Sequence, residues 1–95
     1  MELERRKIPN HLRKFRKQMG LTQLEVASLL KLASSKHIIL WEKGKSHPGL
    51  CNFFKLCIIY NALPNELYPE CYQELREELL SMTEDLLLHK EFSPK

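Results

Sequence analysis

Residues 20–44 read "GLTQLEVASLLKLASSKHIILWEKG". The first half carries a full helix start: Thr22 as N-cap, Glu25 three residues later closing a capping box, and Leu21 ahead of the cap, able to staple onto Val26. The helix begun there runs to about Leu30 and turns Val26, Ala27 and Leu30 inward. After "KLASS" a second helix is expected over about Ser34–Trp41, capped by Ser34 or Ser35, with Ile38 and Trp41 on one face and Gly44 as its stop. Its middle also carries Ile39 and Leu40, two apolar residues where a surface helix is usually polar. What they touch decides how this segment is used.

Working outward, residues 10–19, "NHLRKFRKQM", place Leu12, Phe15 and Met19 at helical spacing, with Asn10 as N-cap and Gly20 where a helix end favours positive φ. Downstream of Gly44, "KSHPG" is a loop, and "LCNFFKLCIIYNAL" from Leu50 is a helix apolar enough to be central to the core. Asn61 is placed to end it in the left-handed conformation. Pro64 opens a short helix, "PNELY", before Pro69 breaks the chain again. From Glu70 to about His89, Tyr72, Leu75, Leu79, Met82 and Leu86 recur at alternating spacings of three and four, a heptad stripe. The fold class is all α, with five helices in a domain over 1–69 and a heptad-patterned helix with a short tail over 70–95.

At 95 residues the chain has the length of one domain with one modest core, and 43% hydrophobic with 28% charged residues is the balance of an ordinary globular protein. The net charge of +3 conceals an asymmetry. Residues 1–47 hold eleven Lys and Arg against four Glu, whereas residues 48–95 hold four against eight acidic residues. A basic first half beside an acidic second half suggests that the first faces a polyanion. The opening "MELERRKIPN" has charges with no apolar stretch behind them, and runs such as "IILW" and "LLL" are far too short to span a bilayer, so a cytoplasmic location is expected. Cys51, Cys57 and Cys71 form no C-x-x-C pair and read as reduced thiols.

Catalysis is not expected. His11, His37, His47 and His89 are scattered, and there is no H-E-x-x-H, glycine-rich phosphate loop or facing acid pair. A zinc site from Cys51, Cys57 and a histidine is disfavoured, because six residues along a helix aim the two thiols apart. No metal or cofactor is implied.

Two short helices joined by a turn, the second capped by small hydroxyl residues, form a helix-turn-helix unit, whose second helix lies in the DNA major groove. Residues 10–69 resemble the lambda-repressor-like family, the Cro/repressor or xenobiotic-response-element type of bacterial and phage regulators. The resemblance rests on "GLTQLEVASLL" with Thr22, Gln23 and Ala27, on "IILWEKGKSHP" with Ile38, Trp41, Glu42, Gly44 and Pro48, and on "NELYP". It implies that Ala27 is small because two helices cross there, and that Arg16 and Glu42 form a partly buried ion pair. It also implies that Gln23, at the start of a helix, grips a phosphate.

Ser34, Ser35, Lys36 and His37 would occupy the first turn of the recognition helix, with Lys36 able to donate to guanine O6 and N7. Lys43, Lys45 and Ser46 would clasp the DNA backbone. The expected partners are double-stranded DNA and a second copy of the chain, as in a small transcriptional regulator, most simply a repressor. Leu75, Leu79, Met82 and Leu86 would either dimerise or pack back onto the chain's own core.

The chain departs from the family pattern in two places. The interval from Ala27 to Glu42 is one residue longer than is usual, and Lys31 stands where the tight turn commonly has glycine. Leu40 replaces a polar groove-facing residue. Leu40 could pack on a thymine methyl. Alternatively Ile39, Leu40 and the C-terminal stripe hold a protein partner, as in an antitoxin bound to its toxin.

Overall fold

The computed structural model describes residues 7–90, so the charges at Glu2, Glu4, Arg5 and Arg6 and the tail from 91 to 95 lie outside the described residues. The described residues are all helical, without a strand: α1 (Leu12–Gln18), α2 (Gln23–Leu29), α3 (Lys36–Glu42), α4 (Leu50–Tyr60), α5 (Pro64–Leu67) and α6 (Pro69–His89). No helix among them is long and apolar enough to cross a membrane.

Local sequence accounts for most of the boundaries. Thr22 Oγ1 accepts from Glu25 N at 3.0 Å while Glu25 Oε1 accepts from Thr22 N at 2.9 Å, the reciprocal box expected at the start of α2. Asn10 Oδ1 accepts from Leu12 N at 3.0 Å, so it closes the start of α1 from one position further out than the helix boundary. Ser34 Oγ accepts from Lys36 N at 3.3 Å, which makes Ser34 and Ser35 part of the approach to α3 rather than of its first turn. At α5, Glu66 Oε1 accepts from Leu63 N at 2.8 Å, half of a capping box, since leucine has no acceptor to return.

Four helices end in the same way. After α1, Gly20 N donates to Lys17 O and Leu21 N to Arg16 O, and after α2, Lys31 N donates to Ser28 O and Leu32 N to Ala27 O. After α3, Gly44 N donates to Trp41 O and Lys45 N to Leu40 O, and after α4, Asn61 N donates to Ile58 O and Ala62 N to Cys57 O. Each is the paired closure that satisfies orphan carbonyls through one left-handed residue. Those residues are Gly20 (φ +74°), Lys31 (φ +61°), Gly44 (φ +76°) and Asn61 (φ +50°). Lys31 therefore takes the conformation that glycine would supply, and the six residues between α2 and α3 fit without losing the closure.

The core gathers Leu12 from α1, Val26 and Ala27 from α2 with Leu30, Ile38 and Trp41 from α3, Leu56 and Tyr60 from α4, and Leu67 from α5. Leu21 packs against the same cluster as Val26, consistent with a staple at the start of α2. Val26 and Ala27 are wholly buried, which fits a small residue where α2 packs on α3. Helix α6 differs in kind. None of its residues is buried, and it leans on the rest of the chain mainly through α5.

Candidate nucleic-acid interface

The orientation of α3 is set from its C-terminal end. The Glu42 carboxylate accepts from Arg16 Nε and Nη2 of α1, the latter at 3.1 Å, and from Gln23 Nε2 of α2 at 3.0 Å. Arg16 Nη1 donates on to Leu21 O at 2.8 Å. One carboxylate thus joins all three helices. The side chains of Arg16 and Glu42 are 8% and 4% exposed, so this is a buried pair with its donors and acceptors used, the condition under which such a pair is tolerated. The hydrogen bond to Glu42 and its negative charge outweigh desolvation and raise the Arg16 pKa, holding the guanidinium charged. Tyr60 lies beside the pair, and burial pushes its phenol well above the usual range.

A second tether comes from the N-terminal segment. Asn10 Nδ2 donates to Trp41 O at 3.1 Å and to Ile8 O at 2.9 Å, and Ile8 N donates to Gly44 O at 2.9 Å. A Cβ on Gly44 would stand 2.5 Å from Ile8 O and 2.8 Å from Ile8 N, so Gly44 serves a close backbone approach as well as a positive φ. Sequence reasoning assigned Asn10 only to helix capping and missed its bond to α3.

With Ile38 and Trp41 inward, the helical repeat of about 100° per residue puts Lys36, Leu40 and Lys43 in a row on the opposite face of α3, with Ile39 on its flank. Lys36, His37, Lys43, Lys45 and Ser34 are exposed; Ser35, Ile39, Leu40 and Ser46 are half-buried. The His37 ring stacks on Trp41 with centroids 6.0 Å apart, which draws it toward the edge of that face. Neither Ile39 nor Leu40 belongs to the buried core, and Leu40 stands between two lysines on the outward row.

Gln23, expected at a phosphate, spends one amide hydrogen on Glu42, which leaves the other for a ligand. It lines a shallow concavity with Arg13, Lys17 and Thr22. Arg13, Lys14 and Lys17 are exposed along α1, so Arg13 and Lys17 extend the basic character of α3 toward the start of α2. Their charge was legible in the sequence, but their place beside Gln23 was not, because it depends on the angle between α1 and α2. A separate apolar cleft of about 630 Å³ is lined by Ile8, Lys45, His47, Pro48, Phe53, Tyr68 and Cys71. Leu75, Leu79, Met82 and Leu86 stand together on α6, far along the chain from α3, and each is at least half exposed.

Among the described residues, no three or more His, Cys, Asp or Glu side chains gather as a metal site would require. The chemistry of the α3 face is that of cationic and hydroxyl hydrogen-bond donors around Leu40, with Ile39 at its flank. Compared with known proteins, the chain matches no family model, no curated protein and no solved structure.

Proposed function

We propose that this chain is a helix-turn-helix DNA-binding protein of the lambda-repressor-like kind, with α3 as the recognition helix and transcriptional repression as its simplest use. The observation that carries this reading is the outward row of Lys36, Leu40 and Lys43 on a helix whose tilt is fixed by Glu42 against both preceding helices. Such a face enters a major groove with Lys36 donating to guanine and Leu40 lying against a thymine methyl, while Arg13, Lys17, Gln23 and Lys45 neutralise or hold flanking phosphates. A half-site containing both G·C and A·T pairs follows from that mixture.

The experiment is selection of the purified chain against a random duplex library, with binding of the enriched pool repeated at low and high salt. A recovered consensus whose affinity falls linearly in log–log terms as salt rises supports the reading. Lys36→Glu then weakens binding by roughly ten- to a hundredfold and relaxes one position of the consensus.

A second reading has its own observation, the apolar pair Ile39 and Leu40 on the outer side of α3. In that reading the same face grips a protein, such as the toxin of an antitoxin pair. Leu40→Asp then abolishes association with the partner and Lys36→Glu leaves it intact, the reverse of the pattern expected on DNA.

A further inference from the structure

Helix α6 has 21 residues and buries none of them in the described chain. Helical stability in proteins comes chiefly from packing an amphipathic face, so a helix of this length with a bare apolar stripe lacks its partner. Tyr72, Leu75, Leu79, Met82 and Leu86 are 47%, 50%, 56%, 60% and 66% exposed and fall at the a and d positions of three successive heptads. We propose that this stripe is covered by the same stripe of a second copy, and that the two helices run parallel and in register.

The charges beside the seam decide the direction. With Tyr72, Leu79 and Leu86 at a, the g positions are Cys71, Glu78 and Asp85 and the e positions are Arg76, Thr83 and Lys90. In a parallel pair each g residue meets the e residue of the partner's following heptad. Glu78 then faces the partner's Thr83, Asp85 faces the partner's Lys90, and Arg76 faces the partner's Cys71, with no like charges opposed.

An antiparallel pair brings g against g and e against e. In the register that pairs Leu75 with the partner's Leu86 and Leu79 with the partner's Met82, Glu78 meets the partner's Asp85, twice by symmetry, and Arg76 meets only the partner's Thr83. Both charge-to-charge contacts beside that seam are repulsive, so the charge pattern selects against it. A parallel pair also sets both α3 helices at the same end of the assembly, although the pairing itself does not rest on DNA binding.

The test is made without DNA, so its failure and the failure of the DNA reading are separate results. Light scattering on the full chain is expected to give twice the chain mass of 11.3 kDa, and Leu79→Glu to give 11.3 kDa with its helix content in the body retained. A single-copy mass for the unmodified chain, or a mass of four copies, overturns the proposal. For direction, Leu86→Cys in a chain carrying Cys51→Ser, Cys57→Ala and Cys71→Ser is expected to form an intermolecular disulfide on mild oxidation, because identical a positions adjoin only in a parallel, in-register pair. A dimer that does not cross-link there is antiparallel or out of register, and the proposal falls. If the cysteine replacements prevent folding, small-angle scattering of the unmodified dimer decides instead: two bodies at one end support the parallel pair, and two bodies at opposite ends of the coil overturn it.

Discussion

Lys31 holds φ +61° in a closure that Gly20 and Gly44 perform elsewhere in the chain. A side chain there costs roughly 1–2 kcal/mol against a right-handed residue, partly offset because glycine loses more freedom on folding. Lys31→Gly is therefore expected to raise stability by about 0.5–1 kcal/mol in urea unfolding, with no change in helix content. The reverse experiment separates the two glycines. Gly20 has open space where a Cβ would go, whereas Gly44 meets the Ile8 backbone, so Gly44→Ala should cost about 3 kcal/mol or more and Gly20→Ala about 1–2.

Tyr68 supplies the pH test. Its buried hydroxyl has no hydrogen-bond partner among the described residues, and burial, with a smaller contribution from Cys71, pushes its pKa up to about 12. Because the folded value lies above the ordinary one near 10, the contribution to stability is complete below about pH 10 and lost as pH rises toward 12. Tyr68→Phe should flatten that alkaline decline, and near neutral pH it should be neutral or stabilising by up to about 1 kcal/mol.

At the scale of elements, the three helices around Glu42 behave as one unit. Glu42→Ala leaves the buried Arg16 guanidinium unpaired and is expected to cost about 3–5 kcal/mol, while replacing both partners with methionine should cost far less. Chemical denaturation of the single and double variants measures the difference. This unit also shows where sequence reading reached its limit. The Thr22 and Glu25 box, the closures at Gly20, Gly44 and Asn61, and the inward pair Ile38 and Trp41 were legible, because each depends on residues within one or two turns. The Arg16 and Glu42 partnership came through family resemblance, and local pattern alone gave no hint of it. The bonds from Gln23 to Glu42 and from Asn10 to Trp41 were not legible at all, since they join positions 19 and 31 residues apart through the packing of the helices. The outward row on α3 was half visible: Leu40 stood out as anomalous, but its place between Lys36 and Lys43 needed the true start of the helix.

The described residues form an elongated body, 54 × 30 × 22 Å with a radius of gyration of 17.1 Å, against about 12 Å for a compact chain of this length. With its stripe covered by a second copy, unfolding of α6 should depend on protein concentration. Melting followed by circular dichroism is expected to show a helical transition that moves to higher temperature as concentration rises and that disappears in Leu79→Glu.

The buried cluster is drawn entirely from Leu12 through Leu67, so nothing after the start of α6 is needed to close it. During synthesis, the body can thus reach its final packing while α6 is still within the ribosome. The α3 face proposed for DNA would be finished before the stripe proposed to pair with a second copy emerges, and pairing on a polysome would then join bodies already folded instead of recruiting half-made ones.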